Sequence, residues 1–238
     1  MNNDDKINCI ERKTKTAGTI TAGLIVVKNP FWEAKLIETK GFGMSVSSSR
    51  FDDLDQMALA MSDRHPTFKI LDLCCGQGAL AQEFADRGRD ATAFDIFRPD
   101  EPLRNVVFFQ GDLWSNEWPV SGPFDIVVWQ RALHYFPSFK LPHLLEKIRS
   151  IMSPGGSIFL SASGLTSELA IGYDVKDAPV KKRFGSLSKN MAEKHGIFSP
   201  VCLYRMEELL PFLMTAGFCV QKAFLSEFGN IKVHAIVE

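Results

Sequence analysis

From Phe68 onward, apolar and polar positions fall into a regular succession of short apolar runs and helical stripes. Strand-length runs lie at 68–73, 91–96, 106–110, 124–129 and 157–162. Helical spacing falls at 79–87 and at about 141–152, where Leu141, Leu144, Leu145, Ile148 and Ile151 share one face and Pro142 fits the first turn. Ser153-Pro154-Gly155-Gly156 breaks the chain before the next run. Strands alternating with helices predict a parallel sheet covered by helices. The link at 97–105 is short, so any crossover helix there is reduced to about one turn.

The flanks are less regular. Arg50-Phe51-Asp52-Asp53 opens a helix with Leu54, Met57, Ala58 and Met61 on one face, and Pro66 marks its end. Before it, Ala22 to Val27 reads as a short strand and Gly41 to Ser49 as a Gly/Ser-rich loop. Residues 164–204 interrupt the alternation and carry a basic cluster, Lys181, Lys182 and Arg183, which reads as a solvated surface helix or loop ahead of the alternative, an anion site. A helix follows at 206–216, with Pro211 inside it predicting a kink or a late start. Phe218 to Phe224 and Ile231 to Val237 read as two antiparallel strands joined by a turn at Gly229-Asn230. The expectation is an α/β fold with an open, mostly parallel, doubly wound sheet of about seven strands and the last one antiparallel.

Composition adds bounds rather than detail. The 238 residues can bury one full core, and 45% hydrophobic with 23% charged content is ordinary for a globular domain. A net charge of −1 gives no pull toward nucleic acid or an anionic membrane. The start of the chain carries Asp4 and Asp5 and does not read as a signal or transit peptide. No segment approaches the roughly 18 apolar residues of a membrane span. The five cysteines are odd in number and unpatterned, which fits a reducing, cytoplasmic setting. No His, Cys, Asp and Glu cluster is spaced for a metal.

The candidate chemistry gathers where the first run ends, at Ile70-Leu71-Asp72-Leu73-Cys74-Cys75-Gly76-Gln77-Gly78. A strand, a tight Gly-containing turn and a helix start offer bare backbone and unpaired N–H groups to a ligand. Asp95 ends the second strand and Asp112 follows the third, so all three acids fall on the edge where open α/β sheets bind ligands. The same loop contains Gly76-x-Gly78-x-x-Ala81, which matches a dinucleotide fingerprint. Asp72, however, stands where a pyrophosphate would meet it. An acid there suits a ligand with a cationic group, such as an amino acid end or a sulfonium.

Asp72-Leu73-Cys74-Cys75-Gly76-Gln77-Gly78 resembles the first motif of class I, Rossmann-like S-adenosylmethionine-dependent methyltransferases, Asp/Glu-x-Gly-x-Gly-x-Gly, with Cys74 in place of the first glycine. The cysteine pair is similar to the small-molecule, ubiquinone/menaquinone-biosynthesis type. The resemblance continues through Phe94-Asp95-Ile96, Gly111-Asp112-Leu113, Phe124 to Gln130, Ala132-Leu133-His134-Tyr135, Met152 to Gly156, and Glu208-Leu209-Leu210 through Ala216-Gly217-Phe218. It covers 68–163 and, less fully, 205–237. It implies a division into an N-terminal extension with a cap helix, 1–66, and a cofactor-binding domain, 67–238, with a substrate-cap insertion at about 164–204.

The resemblance also implies roles. S-adenosyl-L-methionine would be the cofactor and S-adenosyl-L-homocysteine the product. Cys74, Gly76 and Gly78 would lie against the methionine part, with Asp72 holding its amino group. Asp95 would take the ribose hydroxyls, with Ile96 or Phe97 flanking the adenine. Asp112 and the Leu113 backbone would read the adenine edge. Gln130 would sit near the reacting methyl group, or else serve as a loop residue bonded to backbone. Arg50 would clamp the methionine carboxylate, or be a plain surface arginine. His134 is the candidate general base, against a scaffold role.

The acceptor would be a small molecule presenting an O-, C- or N-nucleophile, with 1–50 and 164–204 building its pocket. An Asn/Asp-Pro-Pro-Tyr/Phe run is lacking after the fourth strand, where Trp129-Gln130-Arg131-Ala132 stands, and this disfavours exocyclic or amide nitrogens. A non-catalytic S-adenosylmethionine-binding protein and an NAD(P)-dependent oxidoreductase are the alternatives.

Overall fold

The computed structural model describes residues 51–238 and, before them, the backbone of two three-residue strands. These two, β1 (Leu24–Val26) and β2 (Leu36–Glu38), pair antiparallel with Ile25 opposite Ile37, and belong to a unit spanning Met1–Thr39 separate from Lys40–Glu238. The first lies within the run at 22–27; the second carries no signal in the sequence reading. The loop at 41–49 and Arg50 lie outside the described residues.

The larger unit begins with α1 (Asp53–Arg64). Asp52 caps it: its Oδ1 accepts from the N–H groups of Leu54 and Asp55, while Asp55 Oδ2 accepts from the Asp52 N–H at 3.0 Å. This reciprocal capping box satisfies N–H groups that a helix start leaves orphaned. There follow β3 (Lys69–Leu73), α2 (Ala79–Asp86), β4 (Asp90–Asp95), β5 (Val106–Gln110), β6 (Phe124–Trp129), α3 (Leu141–Ser150) and β7 (Met152–Ala162). The segment after β7 carries β8 (Phe184–Gly185), α4 (Lys189–His195) and β9 (Val201–Cys202), and the chain ends with α5 (Met206–Thr215), β10 (Phe218–Leu225) and β11 (Ile231–Val237). Between β4 and β5 there is no helix, in line with the short link. The helix containing Pro211 starts at Met206, so the late start does not occur. Glu208 accepts from the Arg205 N–H at 2.8 Å and fixes that first turn ahead of the proline.

The seven strands of the main sheet run in the order β5-β4-β3-β6-β7-β11-β10. All pairings from β5 to β7 are parallel, and β11 is antiparallel to both of its neighbours. The doubly wound sheet with an antiparallel last strand is therefore present. The chain steps outward from β3 to β5 and then returns to β6 on the other side. That reversal opens a crevice at the carboxyl ends of β3 and β6.

Period-two alternation assigns each strand residue to a face. Leu71, Leu73, Val127, Trp129, Ile158, Leu160, Ile231 and Val233 pack with α3 and α5. Ile70, Ile126, Val128 and Phe159 pack with Leu54, Ala58 and Leu59 of α1 and Leu80 and Phe84 of α2. Continuing the second set to the ligand edge places Asp72, Gln130, Ser161 and Lys232 on the α1 side. The 164–204 segment has a small apolar cluster of its own, with Leu169, Tyr173, Leu187, Ile197, Val201 and Leu203.

Candidate functional site

The Gly-containing loop is built by its backbone. The Cys75 N–H donates to the Phe94 carbonyl at 3.2 Å, and the Gly78 N–H closes a tight turn on the Cys75 carbonyl at 2.9 Å. The loop passes through left-handed conformations at Cys74 (φ 56°), Gly76 (φ 58°) and Gly78 (φ 74°). Glycine enters that region freely, whereas cysteine pays about 1–2 kcal/mol for it. Cys74 offsets this by packing its side chain against the core. Burial pushes its thiol pKa well up, and the nearby Asp95 adds to the effect, so the group is an inert filler rather than a nucleophile. No atom lies within 4 Å of where a Gly76 side chain would begin, so bare backbone faces open space there.

The acids converge as the parallel register requires. Asp95 Oδ2 accepts from the Gly76 N–H at 2.8 Å and Oδ1 from the Phe97 N–H at 2.9 Å, which ties the second strand end to the loop. Asp112 Oδ1 accepts from the Trp114 N–H at 2.9 Å. Leu113 is buried, and Ile96 is half-buried beside Asp95. Asp72 differs from the other two. It is 5% exposed, and its Oδ2 has no hydrogen-bond partner. Burial, then the negative charge of Asp55, push its pKa up to about 8, against the opposing effects of Arg131 and the Ala81 N–H. A buried carboxylate oxygen without a partner is costly, and a ligand ammonium would supply the missing donor. The bare backbone at Gly76 and the orphaned oxygen of Asp72 fit the methionine end of the expected cofactor.

Beside this loop lies a polar cluster that sequence reasoning missed. Lys232 Nζ donates to Asp52 Oδ2 at 2.5 Å and to Gln130 Oε1 at 2.8 Å. Gln130 Nε2 donates to Asp55 Oδ1. Arg131 Nη1 reaches Asp52 Oδ2 and Asp55 Oδ2, each at 3.1 Å. The amide orientation of Gln130 follows, because ammonium only donates and carboxylate only accepts. Both ends of that side chain are thus engaged by Lys232 and Asp55. Burial raises the Asp55 pKa, whereas Asp52, despite its own burial, is held low by Lys232 and Arg131. A lysine facing the alternate register of a largely apolar strand was the available signal.

His134 sits in a short 3-10 turn after β6 and is 4% exposed. Its Nδ1 lies 3.3 Å from Ser163 Oγ, its Nε2 is buried without a partner, and its ring packs on Tyr135. Burial lowers its pKa to about 4, so the imidazole is neutral across ordinary pH.

The basic cluster is corrected at one position. Lys181 and Lys182 are exposed, but Arg183 is 1% exposed. It grips Glu208 of α5 through Nη1–Oε2 at 2.5 Å and Nη2–Oε1 at 2.8 Å, and donates to the Ala178 and Leu203 carbonyls. A partner 25 residues away makes this a bidentate anchor between the 164–204 segment and α5, which a charge run does not disclose.

The sequence profile of a methyltransferase-domain family matches residues 46–221. A ubiquinone biosynthesis O-methyltransferase of Acinetobacter baumannii is 22% identical over 126 residues, covering 49% of this chain and 51% of the relative. The chain spans about half the length of the curated relatives it matches. Among solved structures, the Burkholderia thailandensis 1,6-didemethyltoxoflavin-N1-methyltransferase, with bound 1,6-didemethyltoxoflavin and S-adenosylhomocysteine, superposes with a TM-score of 0.57 at 19% identity, covering 78% of each chain. A Pyrococcus horikoshii protein gives 0.58 at 15% identity, covering 77% of this chain and 88% of that one. These two likenesses establish the fold.

Proposed function

The chain belongs to the methyltransferase-domain family, and on that premise we propose that it transfers a methyl group from S-adenosyl-L-methionine to a small-molecule acceptor. The observation that carries this reading is the Asp72 carboxylate, buried and lacking one partner, beside the open backbone at Gly76. The bound cofactor supplies a methyl group already activated on a sulfonium, open to in-line displacement.

The chain's own tasks are then binding, alignment and water exclusion. Asp72 receives the ammonium, and Gly76 lets the ligand approach the backbone, whereas the side-chain position at Gly78 is filled by Leu103. Asp95 keeps lone pairs for ribose hydroxyls after binding Gly76 and Phe97, since a carboxylate has about four acceptor sites. Asp112 and the Leu113 backbone take the adenine edge, beside Ile96. The cap at about 164–204 covers the acceptor, supported by its own apolar cluster and by Tyr135, which packs both there and against the main core. Residues 1–66 form the extension and 67–238 the cofactor-binding domain. No described helix is long and apolar enough to cross a membrane, and the free thiols Cys74, Cys75, Cys202 and Cys219 fit a reducing cytoplasm.

The enclosed His134 favours a second reading, a cofactor-binding module without transfer. Calorimetry with S-adenosylhomocysteine, NAD and NADP tests the site: tight binding of a nicotinamide cofactor alone would overturn it. Methyl-labelled cofactor incubated with a metabolite extract tests transfer, and absence of any labelled product would favour the binding module.

A further inference from the structure

We propose that Leu103, carried on the short link between β4 and β5, closes the Gly-containing loop to a pyrophosphate and so sets its selectivity against dinucleotide ligands. This rests on the cofactor reading above and names the residue that enforces it.

Three observations carry the assignment. The first is steric. In a Gly-x-Gly-x-x-Gly/Ala dinucleotide site, the first glycine makes the tight turn and the second lets the pyrophosphate approach the backbone. Gly76 and Gly78 hold those two places, but their surroundings differ. Nothing lies within 4 Å of where a Gly76 side chain would begin. At Gly78 the same point lies 2.5 Å from Leu103 Cδ1 and 2.9 Å from Leu103 Cδ2. The leucine fills the space that the second glycine of a dinucleotide site leaves bare.

The second observation is that Leu103 is fastened in place from both sides. Gln82 of α2 accepts from the Arg104 N–H at 2.7 Å and donates to the Arg104 carbonyl at 3.1 Å. Gln77 Oε1 accepts from the Asp100 N–H at 2.8 Å. The link is thus tied to the helix just after Leu103 and to the loop just before it.

The third is what lies beneath the leucine. Gly78 is the N-cap of α2 and has no side chain to cap it. The first N–H groups of a helix have no partner within it and attract phosphate. A ligand that meets the loop at Gly76 and Asp72 passes Leu103, whereas one that must also bring a diphosphate to Gly78 collides with it. Adenosine joined to an amino acid is thereby separated from adenosine joined to a diphosphate, by a clash built against the wrong ligand.

The test is calorimetry on the full chain with S-adenosylhomocysteine and with ADP-ribose, which is NAD without its nicotinamide. At pH 7 the raised pKa of Asp72, about 8, leaves that carboxyl largely protonated in the free chain, so the steric barrier is what the comparison reads. The wild-type chain is expected to bind S-adenosylhomocysteine about a hundredfold more tightly than ADP-ribose. Leu103→Ala is expected to strengthen ADP-ribose about tenfold and leave S-adenosylhomocysteine within about threefold. Gln82→Ala releases the link without altering Leu103 and is expected to shift the preference in the same direction; it carries the test if Leu103→Ala does not fold. An ADP-ribose affinity unchanged in the folded variants, or a loss of S-adenosylhomocysteine as large as any gain, would overturn the assignment. Failure of the wild-type chain to bind S-adenosylhomocysteine would instead overturn the cofactor reading itself, and the assignment with it.

Discussion

Lys232 of β11 donates its ammonium to the side-chain oxygen of Gln130 at 2.8 Å, across 102 residues of sequence, at the ligand edge of the sheet. The contact exists because Lys232 and Gln130 occupy the α1-facing register of their strands, where β11 and β6 flank β7. Burial lowers the Lys232 pKa, and Asp52 opposes that by favouring the charged form. Removing one member of such a cluster leaves its partners unpaired, which costs more than the pair contributes. Lys232→Met is expected to destabilise the chain by about 3 kcal/mol in urea unfolding. Adding Asp52→Asn should cost less than the sum of the two single changes, by about 1 kcal/mol or more. Strict additivity would show that the contact is not a coupled unit.

Asp72 sets a pH dependence whose sign is fixed by its raised pKa. In the free chain the carboxyl titrates at about 8, pushed up by burial first and by Asp55 second. A ligand ammonium favours the ionised form, so binding below pH 8 expels a proton. S-adenosylhomocysteine affinity should rise with pH up to about 8 and then level off, with close to one proton released per ligand near pH 7. Calorimetry in two buffers of different ionisation heat measures this directly. The folded chain also holds this proton more tightly than the unfolded one, so the contribution of Asp72 to stability falls as pH rises from 3.8 to about 8. Asp72→Asn should remove that slope, make the free chain more stable at pH 8, and abolish cofactor binding. A pH-independent affinity between 6 and 9 would contradict the assignment.

The loop from Asp72 to Gly78 was legible because its signals are local: a strand, a turn and a helix start within one stretch, with acids at the next two strand ends. The face of α1 was not. Apolar spacing selects Leu54, Met57, Ala58 and Met61, whereas the buried stripe is Leu54, Asp55, Ala58, Leu59 and Ser62. The helix is turned so that Asp55 meets Gln130 and Arg131, groups more than seventy residues away in sequence. Hydrophobic periodicity carries no information about such charge pairing. Arg183 escaped for the same reason: inside a run of cations, nothing local distinguishes the one with a buried partner.

Arg183 offers a separate test of how the 164–204 segment is held. Its guanidinium is enclosed and held by Glu208 at one end and by the Ala178 and Leu203 carbonyls at the other, so it joins the 164–204 segment to α5. Glu208 raises the arginine's pKa, and the arginine helps hold the carboxyl low against its own desolvation. Arg183→Met is expected to cost about 2 kcal/mol by leaving the Ala178 and Leu203 carbonyls without their donor, while Glu208 keeps its contacts to Arg205. Amide exchange should accelerate across 178–204 while β3 and β6 keep their protection. Uniform acceleration over the whole sheet would place the arginine in the global core instead.

His134 is expected to act as scaffold in the transfer reaction. Its Nδ1 is committed to Ser163 and its Nε2 is enclosed. With a pKa of about 4 it does not change charge between pH 5 and 9. The rate of methyl transfer should therefore show no limb near 6.5, and His134→Gln should lower kcat by less than about tenfold, below the usual 10²–10⁴ of a general base. The unfolded chain protonates this histidine near 6.5 and the folded chain only near 4, so its contribution to stability is complete above 6.5 and lost as pH falls through that interval. His134→Gln should flatten that acid-side slope in thermal unfolding. A rate limb at pH 6–7 that vanishes in His134→Gln would instead make the imidazole the proton acceptor, and would require Nε2 to open toward the acceptor when the cofactor binds.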